Sequence, residues 1–337
     1  MKMIQSRANR ALALIITFGA AVLVFAASPL FGAKPLSLGE IFSGAGGLDA
    51  HIFWGIRAPR VALAFLSGSG LALAGMAFQA IFRNALATPF TLGVSSGASF
   101  GAALALKLGL IGSVLGISAT AISAFAGASL AIALVYGLTR LKKESTTATM
   151  LLAGVAISFF FSSLILFIQY LSDFTNTFLI LRWLMGSLDA GGFNAVLEVA
   201  PFVAAGGAII IYYSGELNLL AVGDDIAASR GVEVNRTRMA LFFATSLMVG
   251  GIVAMCGPIG FVGMMSPHIC RLIIGPDHRF LAPMTLLFGG LFLSLCDTLA
   301  RIAIAPAEIP VGVITAMLGG PFFLWLLLAA PPEKTIM

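Results

Sequence analysis

The chain of 337 residues has very little charge. Only 10% of its residues are charged and 59% are hydrophobic, and its mean hydropathy is +1.04. A soluble domain of this length needs far more charge to cover its surface. Apolar stretches of about 18 residues or more recur along the chain, and each is long enough to cross a bilayer as a helix. Because the strands of membrane barrels alternate polar and apolar residues in short segments, the composition predicts an all-α polytopic membrane protein instead.

Several chemical signatures are also missing. The three cysteines, Cys256, Cys270 and Cys296, form no CxxC pair, and their odd number indicates no disulfide framework. Without a GxxxxGK[ST] phosphate loop, the chain is not expected to hydrolyse ATP itself. Without HExxH or GxSxG, the sequence gives no support for an enzyme. The basic residues behind the pI of about 9.4 are scattered through short loops, which indicates membrane orientation and not nucleic-acid binding.

A convincing acidic residue near the membrane midplane is missing too. Almost every charge lies at the end of an apolar stretch, since a charge at the bilayer centre costs at least about 2.5 kcal/mol. Asp297 is the deepest acid, and Arg301 follows four residues later on the same helical face. We interpret these two residues as a structural ion pair in preference to a proton relay. Proton- or sodium-driven carriers usually show a midplane acid, so the energy for transport is expected to come from another source.

The apolar stretches predict ten spans in a single membrane domain, residues 1–337. Their approximate bounds are 11–31, 61–82, 92–110, 114–138, 148–170, 192–213, 239–256, 259–275, 281–303 and 312–330. With the N-terminus inside, 13 of the 19 lysines and arginines lie on the inner side, which favours two cytoplasmic termini. The N-terminus also resembles a signal peptide, but its apolar run of about 21 residues exceeds the usual 7–15, so we expect a retained first helix.

Spans two to five and seven to ten form two groups that are set five spans apart. An odd offset gives the groups opposite orientations, which is the arrangement of an inverted repeat. In each group a stretch rich in Gly and Pro follows the first span, at 83–101 and at 257–268. Such irregular backbone survives at membrane depth only where protein or a water-filled cavity satisfies its polar groups.

The largest predicted inner loop, residues 214–238, reads SGELNLLAVGDDIAASRGVEVNRTR. Its pattern indicates short helices, with a break at Gly223 and a stop at Gly231. A solvated connector is one interpretation of this loop. We favour docking to a cytoplasmic partner, because the loop has too many apolar positions for a disordered segment.

His268 and His278 lie within GPIGFVGMMSPHICRLIIGPDHR (257–279). Their spacing of ten residues, interrupted by Gly275 and Pro276, matches no metal-ligand pattern, and no cluster of carboxylates or thiolates completes a site. We therefore expect no metal here. The charged residues of this stretch mark the cytoplasmic exit of a short span.

Four stretches resemble the FecCD-type permeases, the membrane subunits of ABC importers for iron–siderophores, haem and cobalamin. They are RAPRVALAFLSGSGLALAGMAFQAIFRNALATPFTLGVSSGASFGA (57–102), GVEVNRTR (231–238), GPIGFVGMMSPHICR (257–271) and DTLARIAIAPAEIPVGVITAMLGGPFFLWLL (297–327). They occur in the family's order. With the ten-span layout, the resemblance covers nearly the whole chain.

The resemblance implies a homodimer in the lipid of a bacterial or archaeal cytoplasmic membrane. Two copies of a separate ATPase, which bind ATP and Mg, would lie below it, and a periplasmic or lipoprotein substrate-binding protein would lie above. Arg57, Arg60 and Arg301 match positions that meet acidic residues of the binding protein. Pairing of Arg301 with Asp297 competes with that role, and the resemblance implies no role for Arg182.

The resemblance also implies sites at the cytoplasmic side. The 214–238 loop would hold the coupling helices that fit the ATPase. The matching positions are Gly223, Asp224, Ala227, Arg230 and Gly231. The matching gate positions are Asn84, Leu86, Thr146 and Thr147. The family usually reads N-P-L-A-x-P at the gate, whereas this chain has Ala85 in place of the first proline, which frees the local backbone.

The expected substrate is a metal chelate. Iron–siderophore is the first choice because it is the commonest substrate of the family, and haem and cobalamin are the others. A pore with few fixed charges would suit any of these bulky chelates. The alternative function is that of a secondary transporter or channel that works without ATP, and a purely structural membrane scaffold is a third.

Overall fold

The computed structural model describes residues 7–42, 47–110, 112–114, 116–141, 147–189 and 191–329. Its helices are α1 (Arg7–Ala27), α2 (Leu38–Phe42), α3 (Leu48–His51), α4 (Ala58–Phe82), α5 (Val94–Lys107), α6 (Ala119–Leu141), α7 (Thr147–Tyr170), α8 (Phe174–Leu184), α9 (Phe193–Tyr212), α10 (Ser214–Val222), α11 (Asp224–Ser229), α12 (Val234–Cys256), α13 (Val262–Ile274), α14 (His278–Ile302) and α15 (Val311–Ala329). Short 3-10 turns cover Ser28–Leu30 and Pro89–Leu92, and a π-helical turn covers Ile52–Arg57. Strands β1 (Ser113–Val114) and β2 (Ile117–Ser118) pair antiparallel before α6.

Each of the ten predicted spans contains a helix. In the described part of the chain, α1, α4, α6, α7, α9, α12 and α14 belong to segments long and apolar enough to cross a membrane, while α13 and α15 give shorter apolar segments. The predicted span 92–110 is too long, because helix α5 begins only after the 3-10 turn Pro89–Leu92. Its 14 residues rise about 21 Å, less than the ~30 Å hydrocarbon core.

Helix α4 lies at the centre of the bundle. Most of its side chains are buried on all sides, so it has no single apolar face. It packs against α9, α12, α13 and α14. Helices α1 and α7 lie at the periphery, with most of their side chains exposed. In a membrane, such an exposed apolar face contacts lipid or another subunit.

Glycines let the central helices approach closely. A Cβ atom added at Gly68 would lie 2.3 Å from the carbonyl oxygen of Gly289 on α14. One added at Gly75 would lie 1.7 Å from the carbonyl oxygen of Gly263 on α13. No side chain fits at such distances, so these glycines hold α4 directly against the backbones of α13 and α14.

The two groups of spans pack against each other in a reciprocal way. Helix α4 packs against α14, and α12 packs against α6, so the first long helix of each group contacts the third helix of the other. The second helix of each group, α5 or α13, is short and follows broken backbone.

Both broken segments contain a non-glycine residue in the left-handed region, Arg83 with φ 49° and Phe261 with φ 66°. This conformation costs about 1–3 kcal/mol and persists only where the surroundings hold it. The ring of Phe261 lies against Gly319 of α15, where an added Cβ would come within 2.1 Å of the ring. Packing against α15 therefore holds the start of α13.

Candidate functional site

One end of the bundle holds a cluster of charged residues around Asp297, which we call the arginine end. Asp297 is fully buried on α14 and uses both carboxylate oxygens. Arg60 Nε donates to Oδ1 at 2.9 Å, and Arg301 Nε donates to Oδ2 at 3.0 Å. Arg60 Nη1 also donates to Oε2 of Glu308 at 2.6 Å. The predicted pair of Asp297 and Arg301 is confirmed, and Asp297 in addition joins α4 to α14.

The other donors of the arginine end hold the backbone that follows α1. Arg57 donates to the carbonyls of Pro29, Leu30 and Lys34, and Arg301 donates to those of Ser28 and Phe31. These carbonyls lie beyond the end of α1, so no further helical turn supplies N–H groups that donate to them. A guanidinium can do so instead, because it offers five N–H donors in a fixed fork. Arg57 and Arg301 thus complete the hydrogen bonding of a packed segment.

The docking role predicted for Arg57, Arg60 and Arg301 assumes exposed cations, and that assumption is wrong for the single chain. Arg57 is 7% exposed, Arg301 is 3% exposed and the Arg60 side chain is 10% exposed. The Glu308 side chain, which covers Arg60, is 47% exposed. The docking role itself stays a prediction.

A surface pocket of about 320 Å³ opens beside Arg60 and Glu308. Arg182 and Asp189, both exposed, line it as well. The structure thereby places Arg182, to which the sequence assigned no role, at the arginine end.

The opposite end carries two short helices, and we call it the α10 end. The predicted short helices of 214–238 are confirmed, because α10 and α11 are separated at Gly223, and Gly231, with φ 84°, follows the end of α11. The loop is shorter than predicted, since α12 begins at Val234, and docking to a partner stays a prediction. Leu217 and Leu220 of α10 are buried in the core. Helix α10 packs against α4, α9 and α14, so it lies firmly on the bundle.

Asn218 of α10 hydrogen-bonds the junction between α13 and α14. Its Nδ2 donates to Asp277 Oδ1 at 2.8 Å, and its Oδ1 accepts from the backbone N–H of His278 at 2.8 Å. The same Oδ1 lies 2.8 Å from His278 Nδ1. Burial alone would raise the pKa of Asp277, but hydrogen bonds from Asn218 and from the Arg279 N–H hold that pKa below its usual value.

Asp224 of α11 is tied to two other helices. Arg238 Nη2 lies 2.8 Å from each of its carboxylate oxygens, and Arg83 Nη2 lies 3.8 Å from Oδ1. Arg238 belongs to α12 and Arg83 follows the last turn of α4. Asp224 therefore fastens α11 to the ends of two spans, while 40% of its side chain stays exposed.

The predicted coupling residues divide by exposure. Arg230 and Gly231 are exposed, and Gly223 and Asp224 are partly exposed. Ala227 is fully buried and belongs to the core, so it does not reach a partner's surface in this conformation. The prediction omitted Val222 and Ile226, which are 64% and 47% exposed on the same helices. The signal in the sequence is that both residues are apolar and lie in a loop that is predicted to hold short surface helices.

The predicted gate residues lie in part within the described chain. Asn84 and Leu86 are exposed in the turn after α4, and Thr147 begins α7, while Thr146 lies outside the described residues. Asn84 Oδ1 accepts from the Leu86 N–H at 2.9 Å, and the Ala87 N–H donates to the Asn84 carbonyl at 3.1 Å. These bonds close the turn although Ala85 stands at the position of the usual proline.

A groove of about 560 Å³ runs along α5 and α7. Its polar lining consists of five serines and one glutamine: Ser95, Ser96, Ser99, Ser158, Ser162 and Gln169. Of the described residues that line it, none is charged. The sequence motifs around 95–99 and 158–162 display these serines, but only the packing of α5 on α7 shows that they share a groove.

The two histidines of the 257–279 stretch contact different residues. His278 bonds to Asn218, whereas the ring of His268 packs edge-on against Phe322 of α15 at 5.9 Å between centroids. Among the described residues, no group of three His, Cys, Asp or Glu side chains is placed to hold a metal ion.

Residues 20–329 match the model of the FecCD transport family. The chain belongs to this family. It is 41% identical over 292 residues to an uncharacterized ABC transporter permease of Bacillus subtilis, across 85% of this chain and 82% of that one. It is 40% identical to a cobalamin import system permease of Halobacterium salinarum over 282 residues, which cover 81% and 72% of the two chains.

Other members of the FecCD family are similar over comparable lengths. A hemin transport system permease of Yersinia pestis is 36% identical over 286 residues, 85% of each chain. A solved inward-facing transporter of the metal-chelate ABC type has a TM-score of 0.83 and 30% identity, and covers 95% of this chain and 100% of its own. This FecCD-family chain is therefore a multi-pass permease of an ABC importer in the cytoplasmic membrane.

Proposed function

We propose that two copies of this permease form the membrane path of an importer that a separate ATPase drives. The proposal is carried by the α10 end, where short helices tied to α4, α12 and α14 leave Val222 and Ile226 exposed. An ATPase is the partner that supplies energy, because the chain has no phosphate loop. ATP and Mg would bind in that partner.

In the proposed orientation, the α10 end faces the cytoplasm and the arginine end faces outward. The excess of lysines and arginines on the α10 side supports this orientation and two cytoplasmic termini. The partner at the outer face is an acidic substrate-binding protein. Arg60 is the arginine best placed to meet it, since its second ion partner, Glu308, is half exposed and can be exchanged for a carboxylate of the binding protein.

The proposed path runs along the uncharged groove of α5 and α7, completed by the second copy of the chain. The outward side chains of α7 are apolar and exposed, with Phe159 71% and Leu166 66% exposed. A second subunit or lipid must cover them. Hydroxyl groups without fixed charge let a bulky ligand move without strong binding.

A metal chelate is the substrate that this groove fits, with iron–siderophore as the first candidate and haem and cobalamin as the others. The chain is 40% identical to a cobalamin import permease and 36% identical to a hemin transport permease. Because these identities are similar, overall sequence similarity does not distinguish between the candidate substrates. The choice is made by the binding protein and by contacts in the groove.

Reconstitution tests the proposal. The probes are a ferric hydroxamate, haemin and cyanocobalamin. We expect proteoliposomes that contain the permease, its ATPase and its binding protein to take up one of them. Uptake should require ATP and Mg on the side of the membrane where the ATPase lies. A Ser162→Glu variant places a fixed charge at an exposed serine of the groove and should reduce uptake while the complex still assembles. Uptake by the permease alone, driven by an ion gradient, would favour the secondary transporter instead.

A further inference from the structure

One polar side chain connects α10, the helix that the partner would move, to the start of the long helix α14. Asn218 lies on α10, and its three close polar contacts all reach the first residues of α14 or the residue before them. Asp277 is the N-cap of α14, and its carboxylate also accepts from the Arg279 N–H at 3.1 Å. One amide group therefore bonds both the cap and the first turn of α14.

These bonds define position in a way that the neighbouring apolar contacts do not. Leu217 and Leu220 keep α10 against the bundle, but dispersion contacts tolerate small sliding movements. Hydrogen bonds weaken steeply with misalignment, and the amide of Asn218 has its donor and its acceptor both engaged. A displacement of α10 must either move the start of α14 with it or break all three contacts.

Helix α14 connects the α10 end to the arginine end. It runs over 25 residues from His278 to Ile302, a rise of about 37 Å. Near its other end lie Asp297 and Arg301, the centre of the arginine end. One helix thus has the coupling helix bonded to its first turn and the buried ion cluster on its last turns.

We propose that Asn218 is the positioning residue that transmits movement of α10 to α14, and so couples ATP hydrolysis to transport. The proposal rests on the proposed function, in which an ATPase moves α10. Asn218 touches neither substrate nor nucleotide. Its role is to keep α10 and α14 in a fixed relation while the rigid bodies of the bundle move.

The test exchanges the two partners of the central bond. Asn218→Asp still accepts from His278, but its carboxylate faces that of Asp277 and the bond is lost to repulsion. Asp277→Asn alone keeps the bond, since the Asn218 amide can donate to the new amide oxygen and asparagine is also a good N-cap. In the double variant Nδ2 of the new asparagine donates to the new aspartate, so the bond is restored with its direction reversed. The Oδ1 of the new asparagine has to turn to keep accepting from the Arg279 N–H, because one oxygen of Asp277 accepts both bonds in the wild type.

The measurement is uptake per ATP hydrolysed in proteoliposomes of the whole complex, with whichever of the three named probes the wild type takes up. We expect Asn218→Asp to assemble and hydrolyse ATP while uptake per ATP falls about five- to tenfold. Asp277→Asn should stay near wild type, and the double variant should recover most of the loss. Asn235→Asp, at an exposed position near the same end, is the matched control and should behave as wild type.

Three results would overturn the proposal. The first is a double variant as poorly coupled as Asn218→Asp, and the second is normal uptake per ATP in Asn218→Asp. If both Asn218→Asp and Asn218→Ala fail to assemble, the residue serves folding alone and the proposal is also wrong. A wild-type complex without ATP-driven uptake would instead refute the proposed function, so the two failures are distinguishable.

Discussion

The two ends of the bundle use charge in opposite ways. At the arginine end the ion pairs are buried, with Asp297 fully enclosed between Arg60 and Arg301. At the α10 end the ion pairs lie nearer the surface, and Asp224 keeps 40% of its side chain exposed beside Arg238. Breaking a buried pair is costly, whereas exposed pairs contribute little. The arginine end is therefore built to hold its shape, and the α10 end is built to meet a partner.

The same two helices connect these contrasting ends. Helix α4 begins beside Arg60 and ends at Arg83, close to Asp224. Helix α14 runs the opposite way, from its bonds with Asn218 to Asp297. If a partner on one side of the membrane is to control the other side, a transporter needs helices that are bonded at both ends, and α4 and α14 have such bonds at the arginine end and at the α10 end.

The largest effect is expected from loss of the buried acid. Asp297→Ala leaves the guanidinium groups of Arg60 and Arg301 without their shared carboxylate, and breaking a buried pair costs about 3–5 kcal/mol. We expect the thermal midpoint of the purified permease in detergent to fall sharply. Asp189→Ala, at an exposed acid of the same end, should leave it unchanged. An Asp297→Ala variant as stable as this control would show that the arginine end is not the firm one.

The next effect concerns the helices that join the ends. In Gly75→Ala the new methyl would overlap the backbone of Gly263, where a Cβ has only 1.7 Å. Overpacking of this kind costs about 1–3 kcal/mol, and we expect lower thermal stability and lower transport. Gly137→Ala in α6 is the control, because a Cβ there meets nothing within 4 Å in the chain. Equal stability of the two variants would contradict the close packing of α4 on α13.

The helices and the repeat could be predicted, because hydropathy and the breaks by Gly and Pro are local signals. The prediction overextended α5 at both ends for the same reason, since the apolar residues Leu92, Leu108 and Leu110 lie beside the helix Val94–Lys107 and not in it. Asp297 and Arg301 were predictable as a pair because four residues place them on one helical face. Their further partner, Arg60, comes from 237 positions away.

The roles of single polar residues were harder to predict. Arg301 binds backbone carbonyls about 270 residues earlier in the chain, and no sequence pattern announces a bond to a carbonyl. Asn218 and Asp277 are separated by 59 positions and look like ordinary cap and loop residues. Ala227 matches a coupling position of the family but is fully buried. A motif match identifies a position and does not predict whether its side chain is exposed.

A moderate effect is expected at the exposed side of the α10 end. Val222→Glu and Ile226→Glu place charge at exposed apolar positions, so the permease should fold while its affinity for the ATPase falls about tenfold, the loss of ~1.4 kcal/mol of apolar contact. Co-purification of the ATPase with tagged permease measures this. Asn235→Glu, also exposed, is the matched control. Full assembly of both apolar variants would move the ATPase contact away from α10 and α11.

The smallest effect is a gain at the arginine end. Glu308→Gln removes the half-exposed competitor of Arg60 but leaves the bond to Asp297, so a carboxylate of the binding protein should reach Arg60 more easily. We expect docking to tighten about two- to fivefold at low salt, the range of an exposed ion pair, and the gain to shrink as salt screens it. Surface plasmon resonance with the reconstituted permease measures the affinity. Asp173→Asn, an exposed acid at the start of α8, is the control. Weaker docking of Glu308→Gln would mean that Glu308 itself meets the partner, and that the arginines of this end serve the fold alone.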